Sequence, residues 1–119
     1  MVRGQAGDAM GFEQSGGVVL LLGPTGHRAG LRMKGGTLIV IRSTGRLLGE
    51  RQCGGDIFAS TDRVGPFPGH GRLGGSLHRF IAPSELDARA KMILRTALRA
   101  FLPHLESTPV PSLEETCAP

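Results

Sequence analysis

The chain has no tryptophan and no tyrosine, and its five phenylalanines make up the whole of a 4% aromatic share. Any core must therefore rest on aliphatic residues. Cysteine is almost as scarce. Cys53 and Cys117 are the only two, they stand far apart, and neither belongs to a C-x-x-C pair. That excludes a disulfide framework and a cysteine zinc site, and it fits a reduced, cytoplasmic setting. Long apolar runs are also missing. The longest, "VVLLL", has five residues, against the roughly 20 that a membrane helix needs. The start, "MVRGQAGDAM", has no apolar stretch of signal-peptide length. The formal net charge of +4 permits an acidic partner but does not call for nucleic acid.

Recognisable chemistry is missing as well. His27, His70, His78 and His104 fall at unrelated positions, with no i,i+4 pair among them, so no zinc site is expected. Cys53 has no His–Asp set around it in the sequence, and Asp56 reads as a lone carboxylate. The expectation is no catalytic residue, no metal and no bound cofactor.

Glycine, by contrast, is abundant. There are 19 glycines in 119 residues, where about 7% is usual. They are periodic. Gly16-Gly17 precede "VVLLL", Gly35-Gly36 precede "TLIVI", Gly54-Gly55 precede "DIFAS" and Gly74-Gly75 precede "SLHRF", at spacings of 19, 19 and 20 residues. Gly7, Gly26, Gly45 and Gly65 form a second column, and Gly11, Gly30, Gly49 and Gly69 a third. The fourth block carries one extra residue before Gly65. A fixed period of this length marks stacked structural repeats. The glycines read as corners, where positive φ or close backbone approach excludes a Cβ. A phosphate cradle is the weaker reading, because a strand rather than a helix follows each pair.

After each pair, side chains should alternate between two faces. Val19, Leu38, Ile57 and Leu77 are assigned inward, together with Leu21, Val40, Ala59 and Arg79. Each block has room for two or three short strands. The fold class expected is an all-β solenoid: a right-handed parallel β-helix of about four 19-residue coils, plus a C-terminal α-helix. Leu20, Leu22, Ile39, Ile41 and Phe58 then point outward and need a cover. The segment 83–105 supplies one. Its helix is expected over 84–102, with Ser84 as N-cap and Pro103 near its end. Leu86, Ala90, Ile93, Leu94, Ala97, Leu98, Phe101, Leu102 and Leu105 share a face. Glu85–Arg89 and Asp87–Lys91 are set for i,i+4 pairing. Lys91, Arg95 and Arg99 form a basic stripe, which is either a solvated face or a partner surface. Residues 1–82 are thus the glycine-repeat unit, 83–105 the helix, and 106–119 a Pro- and Glu-rich tail with little to bury.

The pattern G-x2-G-x3-G, then a glycine pair and a strand, is carried by "GHRAGLRMKGGTLIV" and more loosely by "GDAMGFEQSGG" and "GRLLGERQCGG". Over about residues 4–80 it resembles the G-X-G-X-G repeat domain. That domain is the C-terminal β-helix of the glutamate synthase large subunit. It is also the body of the glycine-repeat subunit of formylmethanofuran dehydrogenase and of the related formyltransferase/hydrolase complex. The resemblance implies a non-catalytic scaffold in one-carbon metabolism, with other subunits of an enzyme complex as partners and no catalytic residue carried over. A glutamate synthase-like structural domain and an independent binding module that takes an acidic partner are the alternatives. Arg42 and Thr61 stand where the repeat's first glycine is expected, and Arg79 stands where an inward apolar residue is expected.

Overall fold

A computed structural model describes residues 7–99 and Phe101. Leu102, Pro103, His104 and Leu105 of the expected helix end, and the tail 106–119, lie outside the described residues.

Four strands stack in parallel: β1 (Val18–Leu21), β2 (Thr37–Val40), β3 (Asp56–Ala59) and β4 (Ser76–Arg79). They form one sheet in chain order. Val19 pairs with Leu38, Leu38 with Ile57, and Ile57 with Leu77. The expected inner column is therefore a ladder. Four strands in this order are joined by three connections, so the solenoid makes roughly three turns where the repeat count predicted four coils. A turn closes only when the next strand arrives, and after β4 the chain leaves for the helix.

Each coil has one strand, not two or three. The remainder is turns, with one isolated bridge between Thr44 and Val64. Backbone sterics explain this. Ala9, Arg28, Leu47 and Phe67 repeat with φ between 55° and 62°. Glu13, Arg32 and Arg51 do so at 54°, and Gly71 takes the same place in the last coil with φ 68°. With Gly30 and Gly36 and their columns also at positive φ, four such positions per coil leave no extended stretch outside the strand wall. Backbone hydrogen bonds still join coil to coil there. Arg28 N–H donates to Arg46 O at 2.9 Å, and Leu47 N–H donates to Pro66 O at 2.9 Å.

Two apolar cores lie back to back across the sheet. Leu21, Leu38, Val40, Ile57 and Ala59 point inside, where they meet Ala29, Met33 and Leu48. Leu20, Leu22, Ile39, Phe58 and Phe80 point outward against Leu86, Ala90, Leu94, Ala97 and Leu98. The outward residues are thus covered by the chain's own C-terminal segment, which accounts for large apolar residues on both faces of β1, β2 and β3.

That segment begins with a 3-10 turn, Pro83–Glu85, and continues as α1 (Ala88–Arg99). The helix starts later than expected. Its N-cap is Asp87, whose Oδ1 accepts Ala90 N–H at 2.7 Å, rather than Ser84. Glu85 Oε2 accepts the N–H of Ile81 at 2.5 Å and of Ala82 at 2.6 Å. These backbone bonds occupy both carboxylates, and among the described residues no ion pair to Arg89 or Lys91 forms. Among the described residues, too, no helix is long and apolar enough to cross a membrane.

Candidate functional site

The corner glycines do two kinds of work. Gly36 has φ +80°, and a Cβ there would lie 2.7 Å from the backbone of Gly16. Gly45 adopts no left-handed φ, yet its Cβ would lie 2.8 Å from the carbonyl carbon of Gly26 in the coil before. Gly17, Gly55 and Gly75 share the conformation of Gly36, as do Gly11, Gly30, Gly49 and Gly69 in their own column. Gly26, Gly35, Gly54, Gly65 and Gly74 share the close approach of Gly45, whereas Gly7 and Gly16 in the first coil meet nothing.

Side chains reinforce the corners in ways the repeat count does not reveal. Asp8 Oδ1 accepts His27 N–H at 2.8 Å, and His27 Nδ1 accepts Arg46 N–H at 3.0 Å. Each acceptor serves the next coil. The next member of the column is Pro66, which has no N–H to satisfy, so the side chain of Arg46 need not accept. Because its Nδ1 accepts, His27 is the Nε2–H tautomer.

Inside the stack, Gln52 is wholly buried. Its Nε2 donates to Gly55 O at 3.1 Å and to Ser76 O at 2.9 Å, which ties the corner to the following coil. Gln14 makes the same contacts with Gly17 O and Thr37 O. Met33 stands between them in the column. The signal for this pair is "QSGG" and "QCGG", a glutamine two residues before a glycine pair.

The structure also gives Asp56, which reads as a lone carboxylate in the sequence, a partner from the same column of the next coil. Ser76 Oγ donates to Asp56 Oδ1 at 2.5 Å, and His78 Nε2 lies 3.2 Å from Ser76 Oγ. His78 stacks on Phe58, with ring centroids 4.9 Å apart. These groups line a cavity of about 70 Å³ with Asp87, Arg89, Ala90 and Ile93. It has room for a few water molecules but not for an organic substrate. The order is carboxylate, hydroxyl, imidazole. A serine nucleophile needs the imidazole between the other two, to take the hydroxyl proton. Here that proton already points at Asp56, and the trio clasps β3 to β4.

The basic stripe is less open than expected. Lys91 and Arg95 are half-buried, only Arg99 is exposed, and Arg95 has a partner. Three basic residues on the corners are paired between coils, whereas Arg46, Arg51, Arg63 and Arg72 are exposed. Arg28 lies 3.6 Å from Glu50, and Glu13 receives Arg32 at 3.9 Å and Lys34 at 3.8 Å. Cys53 is exposed, with Sγ 3.5 Å from Arg51 O. Among the described residues, no group of three metal-ligating side chains converges. No protein-family model, no curated protein and no solved structure matches the chain.

Proposed function

We propose that the chain is a non-catalytic scaffold: a short parallel coil stack with a helical cover that joins other subunits of an enzyme complex. The complex is of the kind its glycine spacing resembles, a formyltransferase/hydrolase or formylmethanofuran dehydrogenase assembly of one-carbon metabolism working in the cytoplasm. The stack is right-handed, as connections between parallel strands almost always are. It counts as four coils if the corner of residues 7–17 is taken with β1.

One observation carries this reading. Several side chains that could carry chemistry hold backbone instead. Asp8, Gln14, His27, Gln52, Glu85 and Asp87 all bond to main-chain groups. Such wiring favours a rigid shape, which is what a scaffold offers its partners. The alternative of a basic module for an acidic partner is weakened by the pairing of Arg28, Arg32 and Lys34 with glutamates.

The test is co-expression of the tagged chain with amidohydrolase-like and dehydrogenase-like subunits from its native host. A stoichiometric complex on gel filtration, with turnover confined to the partner subunit, is the expected result. A chain that stays alone, or that turns over a formylated pterin by itself and loses this with Cys53→Ala, overturns the reading.

A further inference from the structure

The repeat is broken in several places, and the breaks converge in the fold. Arg42 and Thr61 stand where the first glycine of a block is expected, one extra residue enters before Gly65, and Arg79 stands in an apolar column. Arg42, Ser43, Thr61, Asp62 and Arg63 line one hollow of about 310 Å³, with Pro24 and Ile41 as its apolar wall. A second hollow of about 270 Å³ shares Thr61 and Asp62 and adds Arg79. Insertions into a repeat fall on loops of one face, often the binding face.

The insertion is fixed by backbone bonds. Arg63 N–H donates to Thr61 Oγ1 at 3.0 Å, and Arg63 O accepts Thr44 N–H at 2.9 Å. The coil-to-coil bond is thus kept although a residue is added. Thr61 Oγ1 accepts in this bond and keeps its own proton to donate elsewhere. Arg42, Asp62 and Arg63 are exposed. Although they share one hollow, among the described residues no ion pair joins either arginine to Asp62. Both guanidinium groups are therefore open to an oxyanion from outside.

We infer that this corner binds a small soluble molecule that carries a phosphate group beside a hydroxyl. Arg42 and Arg63 bring planar forks of N–H donors, which match phosphate oxygens. Ser43 and Thr61 add O–H donors. An ionised Asp62 only accepts, so it repels a bare anion and favours a ligand whose own hydroxyl donates to it. Pro24 and Ile41 face the short carbon chain between the two groups. The inference goes beyond the scaffold reading and does not rest on it.

The probes are glycerol 3-phosphate, inorganic phosphate and glycerol, each titrated into the full chain. Amide NMR shifts are the readout, since the chain has no tryptophan to report binding. Glycerol 3-phosphate should bind once per chain and move the amides of Ser43, Thr61, Asp62 and Arg63. Inorganic phosphate should bind more weakly, and glycerol not at all. Arg42→Gln and Arg63→Gln should melt like the parent, yet each should bind glycerol 3-phosphate about tenfold more weakly. Arg51→Gln, which changes an exposed arginine on the opposite corner, should bind like the parent. Asp62→Asn should bind inorganic phosphate more tightly and narrow its gap to the ester. No binding at millimolar concentration, or shifts centred on Arg46 and Arg51, overturns the inference. So does equal weakening by Arg51→Gln, which would mark diffuse charge rather than a site. An Asp62→Asn chain with the parent's preference overturns the ligand class named. Binding to phosphatidylglycerol vesicles with none to the free ester overturns it in favour of a lipid surface.

Discussion

The strand wall and the rest of the coil are held together by opposite means. On the strand wall, large side chains fill space on both faces. Leu38 and Ile57 are fully buried inside, and Ile39 and Phe58 are fully buried under the helix. Around the corners, the missing side chain matters more. Coils approach until the carbonyls of one occupy the Cβ space of the next. Removing atoms should damage the first region, and adding them the second.

Leu38→Ala and Gly55→Ala set this contrast directly. Leu38 is buried in the inner core, and its loss should cost about 2–5 kcal/mol through a cavity. Gly55 has φ +80°, and an added Cβ would lie 2.8 Å from Gly35 C and Gly36 O and 2.9 Å from Met33 Cε. The left-handed conformation costs an L-residue about 1–2 kcal/mol, and overpacking adds about 1–3 kcal/mol. Denaturant unfolding should thus place one added methyl beside the loss of a leucine. A Gly55→Ala penalty under about 1 kcal/mol breaks the comparison, because the coils would then have room to yield.

The side-chain bonds of the corner come next in size. His27→Ala removes the acceptor of Arg46 N–H on an exposed rim, where water replaces it. The expected loss is about 0.5–1.5 kcal/mol. Asp8→Ala should match it, since it removes the equivalent bond one coil earlier. If either costs as much as Leu38→Ala, the corners depend on side chains more than on close backbone packing.

These regions are not equally legible in the sequence. Alternation after each glycine pair is a direct record of which side chains face inward, so the ladder from Val19 to Leu77 is readable. The outward apolar columns and the apolar face of the helix imply each other. The one-strand coil is hidden, because Ala9, Arg28 and Leu47 adopt left-handed backbone without the glycine that signals it. Only Gly71, in line with Glu13, Arg32 and Arg51, hints at such a column. Glu85 and Asp87 are ambiguous because an acidic residue near a helix start suits both an ion pair and a cap. The cap wins where backbone N–H groups lie within reach. Asp56 and Ser76 each follow a glycine pair, so the repeat already sets them side by side; the Ser76 Oγ bond to Asp56 and the reach of His78 back to Ser76 are what the pattern leaves hidden.

A smaller effect, of opposite sign, sharpens the same contrast. Arg51 is a non-glycine residue with φ 54°, and its side chain is not the reason for that backbone. Arg51→Gly should relieve about 1–2 kcal/mol of left-handed strain against about 0.5–1 kcal/mol of added unfolded-state entropy. The net is a gain of up to about 1.5 kcal/mol in thermal or denaturant unfolding. A clear loss would mean that Arg51 makes contacts which outweigh its backbone.

The smallest effect lies where the two regions meet, at the joint between the last coil and the helix. Glu85 is exposed, yet hydrogen bonds from Ala82 N–H and then Ile81 N–H hold its carboxyl below the usual carboxylate range, against a smaller opposing effect of partial desolvation. A carboxylate whose pKa is depressed in the folded state contributes stability above its unfolded value of about 4.3. That contribution is lost as pH falls through the lowered folded value. The joint should therefore loosen only in acid, below the ordinary carboxylate range, and be indifferent to pH near neutrality. Amide exchange of Ile81 and Ala82, followed from neutral pH downward and corrected for its intrinsic rate, is the measurement. Protection should fall in that acid window in the parent chain. In Glu85→Gln it should be lower near neutrality and flat across the same range, meeting the parent in acid, because the amide oxygen accepts more weakly than a carboxylate and does not titrate. Equal protection in both chains would show that the turn Pro83–Glu85 is fixed by the packing of Phe80 and Leu86 beneath the helix, and that the joint belongs to the side-chain-filled wall rather than to the backbone-bonded corners.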